Sequence, residues 1–276
     1  MNSFLEAKSF SIDDRRWTVG SERHDLSVPL RFDQPQPVFF GVAGASERAV
    51  TAGSFVGDVR AGGSCNCATF SITPHCNGTH TECVGHITGE RLSVRSLCEQ
   101  TLDVALVVSV APVRASATAE SSDPGPQSDD WLITRASLEA AMASAAIATF
   151  TALVIRTLPN SPHKLTRDYD REPAPFFTAE AMRFIVERGV RHLVVDLPSL
   201  DRANDEGRLT AHRIFWNVPA GARAIDAATR RHATVTELAY IDDAVRDGPY
   251  LLNLQVAPFE ADAAPSRPIL LPLIPA

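Results

Sequence analysis

The run from Leu102 to Val110 is nearly continuous in apolar, largely β-branched residues. A strand with one wet face alternates apolar and polar side chains, so an unbroken run marks a strand buried on both faces. Thr151 to Thr157 reads as a second buried strand and Val190 to Asp196 as a third. Between the last two, Thr178 is placed to cap a helix over Ala179 to Arg188, closed by Gly189. Ser137 is similarly placed to cap an alanine-rich helix from Leu138 to Ala148. The most apolar helical stretch, Ala140 to Ile155, is broken by Ser144, Thr149 and Thr151, and reads as a buried element. Shorter strand signals lie at Asp25 to Leu30, Val38 to Phe40 and Ala68 to Ile72. Gly53, Gly57, Gly62 and Gly63 predict turns rather than helix between them.

Composition narrows the class. The chain has 276 residues, 45% hydrophobic and 21% charged, which suits a soluble globular protein read as a single domain over 1–276. Pro112, Pro124 and Pro126, set among Ser, Ala and acidic residues, mark 112–130 as an exposed loop. A net charge of −7 argues against a nucleic-acid partner, because phosphate binding draws on clustered Lys and Arg. No apolar run is long enough to span a bilayer, and Met1 to Glu6 lacks the basic and apolar regions of a signal peptide. Five cysteines, an odd number, fit a reducing cytoplasm better than a disulfide framework. Cys65 and Cys67 share one strand face with no second pair nearby, and read as half-buried thiols. His24, His163, His192 and His232 show no partnered spacing and read as surface residues.

The chemistry gathers in Pro74 to His86, which packs three imidazoles, two thiols and a carboxylate into thirteen residues. These are the usual zinc donors. Cys76, His80 and Glu82 stand at i, i+4 and i+6, with His86 at i+10. On a strand, His80 and Glu82 point to the same face. Cys76 could join that face across the Asn77-Gly78 turn. Pro74, Gly78 and Gly85 disfavour a continuous helix, so the expectation is a loop or hairpin. His75 and Cys76 compete for the role of first ligand; Cys76 keeps the spacing to His80.

The segment resembles the signature of the metal-dependent cyclase family, which includes bacterial kynurenine formamidases and isatin hydrolases. That signature reads H-x-G-T-H-x-D-x-P-x-H, and Gly78, Thr79, His80 and His86 match it in register. Cys76 stands where the family has its first histidine, Glu82 replaces the aspartate and Val84 the proline. Asp25 to Leu30 is similar to the family's opening. The strand–helix–strand section leads, as in the family, to Asp196, Ser199 and Asp201, read here as residues that cap and orient a turn. His212 matches the family's later histidine and Glu237 its glutamate, with 217–233 as an insertion between them. Pro265, Ser266 and Arg267 fit the C-terminal pattern.

The resemblance implies a swivelling β/β/α fold of the α/β class, a β-rich core flanked by helices. It implies a divalent metal, zinc or else manganese, held by Cys76, His80, Glu82, His212 and Glu237. His86 would be the catalytic base. The implied activity is hydrolysis of a small amide, N-formyl amide or lactam by a homodimer or homotetramer. The departures at Cys76 and Glu82 leave a second class open: a homologue without hydrolysis that binds a small molecule or partner.

Overall fold

Every residue of the Ala152–Thr157 strand is buried, as a strand covered on both faces should be. The computed structural model, which describes residues 9–276, shows the arrangement that does this. Ala152–Thr157 lies parallel to Leu102–Val110, with Ala105 opposite Ala152 and Val110 opposite Thr157. On its other side run His192–Val195 and then Thr234–Glu237, both parallel. Antiparallel strands extend the sheet both ways. Gly248–Asn253, Ile269–Pro275 and the Ser9–Ile12/Arg15–Val19 hairpin follow Leu102–Val110, while His80–Cys83 and Ala263–Pro265 follow Thr234–Glu237. Among the described residues this makes one eleven-stranded sheet, counting a short branch at His24–Asp25.

Side-chain alternation assigns the two faces. Leu106, Val108, Val110, Leu153, Ile155, Leu193 and Val235 meet Leu138, Met182, Ile185, Phe215 and Trp216 from the helices. Ala105, Val107, Val154 and Val194 point the other way, onto Leu26, Ile241, Val245, Leu252 and Leu270. The helices Arg135–Met142, Ala179–Glu187 and Thr210–Trp216 thus lie on one face, and the mixed α/β architecture with its large sheet and few helices matches the expected class.

Local signals set some boundaries and missed others. The Ala179–Glu187 helix starts where Thr178 Oγ1 accepts from the Ala181 amide and ends before Gly189 at φ 74°. The alanine-rich helix is shorter and earlier than its composition suggests, Arg135–Met142, because Thr134 rather than Ser137 caps it. Its expected continuation toward Ala148 is turned aside: the Asp13 carboxylate accepts from the Ala148 and Thr149 amides. Ala68–Ser71 is a strand, but it pairs with Ser46–Ala49 in an outer ribbon. Cys65 and Cys67 are exposed rather than half-buried. Of Val38 to Phe40 only Val38 bridges, to Asp168, and Phe40 turns away at φ 63°. The Asp25 to Leu30 alternation survives as burial of Leu26 and Val28. Within 112–130, Val113–Arg114 pairs with Trp131–Ile133; 217–233 carries no helix or strand. Met1 to Glu6 lie outside the described residues, among which no helix is long and apolar enough to cross a membrane.

His192 is the clearest reversal: it is buried, not on the surface. Its Nδ1 lies 2.7 Å from Thr234 Oγ1 and its Nε2 3.3 Å from Asp103 Oδ2. Burial outweighs the Asp103 charge and lowers its pKa to about 4. The unfolded chain, with an ordinary histidine near 6.5, binds more protons between those values. This contribution is therefore fully present above pH 6.5 and lost as pH falls toward 4. The wild type should lose melting temperature over that interval more steeply than His192→Gln, and equal slopes in a pH series would refute this.

At the far end of the same strands, Lys164 Nζ lies 2.7 Å from Asp196 Oδ2 with both side chains buried. Asp196 also accepts from the Thr157 amide and hydroxyl. Removing one member of a buried pair strands the other charge. Lys164→Met should destabilise the protein by about 3–5 kcal/mol in urea unfolding, and Lys164→Met/Asp196→Asn by less. A single-variant loss within error of zero would mean that the pair does not hold these loops.

Candidate metal centre

The signature segment folds as a single helical turn, Pro74–Asn77, then the strand His80–Cys83 and the turn Val84–His86. No continuous helix forms. Pro74 occupies the first turn, where its missing N–H leaves no bond unmade. Asn77 ties the turn down, accepting from the Thr73 amide and donating to the Ala43 carbonyl. Gly85 is required by space: a Cβ there would lie 2.8 Å from the Leu92 carbonyl oxygen.

Strand pairing brings distant donors together. His80 stands opposite Glu237 on one neighbour and Pro265 on the other, and Glu82 opposite Val235 and Ala263. Being two apart, His80 and Glu82 share a face. His80 places Nδ1 2.9 Å from the Gly78 carbonyl, which leaves Nε2 facing Glu237 Oε2 at 3.4 Å. Glu237 Oε1 accepts from the Leu200 amide at 3.0 Å.

Glu82 is the hub. It is completely buried, and its Oε1 lies 2.9 Å from His212 Nε2. Its Oε2 lies 2.9 Å from His75 Nδ1 and 3.9 Å from His86 Nε2. Burial would push this carboxyl toward its neutral form, but His86 and His212 hold it well below the ordinary carboxylate range. His212 is aimed by Asp201, which lies 2.6 Å from Nδ1 and accepts the Ala211 and His212 amides at the start of the Thr210–Trp216 helix. Burial opposes charge on His212, yet Glu82 and Asp201 raise it well above its usual value. Asp201 therefore does orient a turn, and through it the ring.

Asp262, which carried no motif, completes the cluster. Its Oδ2 lies 3.0 Å from His75 Nε2 and 3.5 Å from His86 Nδ1. Those two imidazoles hold Asp262 below its ordinary range. His75, though burial opposes charge, is raised to about 10 by Asp262 and Glu82. The available clue was position: Asp262 stands three residues before Pro265, where the C-terminal pattern begins.

Among the described residues, two groups of donor atoms lie mutually within 4.8 Å: His75, Glu82 and His86, and His80, Glu82 and Glu237. Both use Glu82. His212 touches both glutamates. Cys76 joins neither group, although it is buried close by. Burial, with the charges of Asp170 and Glu237, pushes its thiol up to about 11. Its neighbour His75 is the residue the structure brings into the cluster.

The donor set fits a divalent cation. His80 Nε2 is buried without a hydrogen bond and faces the Glu237 carboxylate at 3.4 Å, an arrangement proteins rarely tolerate. Imidazole nitrogen and carboxylate oxygen are ordinary ligands for such ions. His75 and His86, each about a quarter exposed, form the side open to solvent.

Known proteins agree with this outline. A kynurenine formamidase from Bacillus cytotoxicus is 33% identical over 100 residues, a match covering 36% of this chain and 41% of that relative. Isatin hydrolase A from Labrenzia aggregata has 17% identity and a TM-score of 0.60, covering 91% of this chain and 93% of that one. A structure described as a predicted metal-dependent hydrolase from Bacillus stearothermophilus has 15% identity and a TM-score of 0.56, covering 91% and 98%. At those identities the two structures attest the fold. The family model described as "Putative cyclase" matches residues 24–202, more than half of the chain and all of the signature segment, though not His212, Glu237 or Asp262. By that match, the chain belongs to the cyclase family.

Proposed function

We propose that this protein is a metal-dependent hydrolase that cleaves the C–N bond of a small amide, N-formyl amide or lactam. One observation carries the reading: a fully buried carboxylate, Glu82, is shared by two groups of imidazole and carboxylate donors whose atoms converge within 4.8 Å. Family membership and the names of the formamidase and isatin hydrolase relatives support the amide class. The reading includes a cytoplasmic homodimer or homotetramer acting on a small-molecule substrate.

His80, Glu82 and Glu237 would hold the cation, with His212 against both carboxylates and His75 in the place expected of Cys76. A bound divalent cation supplies Lewis-acid polarisation of the substrate carbonyl and acidifies water. With imidazole and carboxylate donors alone, manganese suits the site as well as zinc; a thiolate from Cys76 would favour zinc. His86 sits on the solvent side with Nε2 turned toward Glu82. There it takes a proton from the attacking water and returns it to the leaving nitrogen as the C–N bond breaks. Asp201 keeps His212 in place throughout.

Two predictions follow from these roles. In zinc titrations of the apoprotein, His75→Ala should weaken binding at least about tenfold more than Cys76→Ala does, because only His75 presents a donor atom in the cluster. The reverse ranking would return the position to Cys76. In a panel of formamides and lactams, the metal-loaded protein should turn over at least one substrate. His86→Ala should then lower kcat by about a hundredfold or more with metal content retained, and His80→Ala should lose both. Loss of metal from His86→Ala would make His86 a ligand. If nothing in the panel is turned over, the non-hydrolytic binding role takes precedence.

A further inference from the structure

We infer that Asp262 is a positioning residue that orients His75 and His86 together, turning one nitrogen of each ring toward Glu82; the inference rests on the metal-site reading above. The two rings lie nearly side by side, with centroids 4.2 Å apart and planes 31° from parallel. Each bridges the same two carboxylates. His75 spans from Asp262 through Nε2 to Glu82 through Nδ1, at 3.0 and 2.9 Å. His86 spans from Asp262 through Nδ1 to Glu82 through Nε2, at 3.5 and 3.9 Å. The result is a closed ring of carboxylate, imidazole, carboxylate and imidazole.

The two carboxylates are not equivalent. Glu82 is completely buried and faces the other donors, whereas Asp262 is 40% exposed at the rim. An imidazole that donates N–H to one side keeps a lone pair for the other, and the hydrogen bond selects which nitrogen is which. By pairing with His75 Nε2 and facing His86 Nδ1, Asp262 favours the proton at those nitrogens, so that on giving up its other proton each ring offers the lone pair of His75 Nδ1 or His86 Nε2. Those are the nitrogens that lie nearest Glu82. Without it, two adjacent rings could each rotate or exchange tautomers.

The backbone fixes Asp262 well enough for this. Its carbonyl accepts from the Cys83 amide at 2.9 Å, and the preceding Ala261 carbonyl accepts from Val94 at 2.8 Å. Ala263–Pro265 then pairs along His80–Cys83. The carboxylate therefore rides on the same ladder that carries His80 and Glu82. A Gln or Asn on a free loop would have no such registration.

The test uses the full chain carrying Asp262→Ala, Asp262→Asn and Asp262→Glu, with zinc alone as the probe. Imidazole 15N spectra of the zinc-loaded protein, assigned with His75→Gln and His86→Gln, should show His75 protonated at Nε2 and His86 at Nδ1. Asp262→Ala should abolish that pattern and weaken zinc binding about 10–100-fold, and Asp262→Glu should recover part of both. If Asp262→Ala fails to fold, the near-isosteric Asp262→Asn should still scramble the tautomers and lower zinc affinity. Where a substrate has been found, kcat should fall with KM little changed. Unchanged tautomers together with zinc affinity within twofold of wild type would overturn the assignment. Absence of turnover in the wild type would count against the hydrolase alone, since the spectra and the zinc titration decide the role of Asp262 independently.

Discussion

Burying a carboxylate without partners costs several kcal/mol even after relaxation, and Glu82 is completely buried at the centre of this protein. Much of the chain serves to make that tolerable. His212, His75 and His86 surround it, and His212 with the carboxylates that brace these rings, Asp201 and Asp262, comes from beyond residue 190. The imidazoles lower the pKa of Glu82, and Glu82 in turn raises those of His212 and His75. A cation would take over that role directly, by occupying the space where lone pairs and protons now converge. His80 Nε2, buried without a hydrogen bond, is the part of the balance that protein groups alone leave open.

The sheet makes this geometry reproducible. Parallel pairing carries Thr234–Glu237 into register beside His192–Val195, and antiparallel pairing then sets Glu237 opposite His80. A one-residue slip in that ladder would turn His80 and Glu82 to the other face together. Leucines in the left-handed region flank the two later donors: Leu238 at φ 51° follows Glu237, and Leu209 at φ 50° precedes the helix bearing His212. For a residue with a branched side chain that conformation costs about 1–3 kcal/mol, so it persists only where surrounding bonds demand it. At Leu238 the bonds are visible: its amide donates to the Leu197 carbonyl and its carbonyl accepts from Thr79 Oγ1. Thr79 also accepts from the Val28 amide. One hydroxyl in the signature thus joins the N-terminal segment, the signature strand and the chain just after Glu237.

What could be read in the sequence was local. The Leu102–Val110 strand has the bounds its composition indicates, and Thr178 and Gly189 bracket their helix because caps act over three or four residues. His80 and Glu82 share a face for an equally local reason, the period of a strand. The failures are long-range. Asp13 diverts a helix 135 residues away in sequence, and His192 is internal because Asp103 and Thr234 lie on neighbouring strands. Asp262 approaches the histidines only through the pairing of Ala263–Pro265 with His80–Cys83. His212 and Glu237 were reachable only through family resemblance, since nothing in their own surroundings marks them.

The pair His75 and Cys76 shows why spacing alone misleads at such a site. Counting from His80 favours Cys76, as though the intervening chain were a rigid ruler. Yet Pro74–Asn77 forms a helical turn, in which adjacent side chains diverge by roughly 100°. Residue 75 is swung toward Glu82 and Asp262, while residue 76 is buried outside both donor groups. A thiol pushed up to about 11 gives little thiolate near neutral pH, and thiolate is the form that binds metal. The His75 imidazole, by contrast, is anchored through Nε2 on Asp262 and turns Nδ1 to Glu82. The local fold thus brings an imidazole into the cluster one position before the thiol that spacing selects.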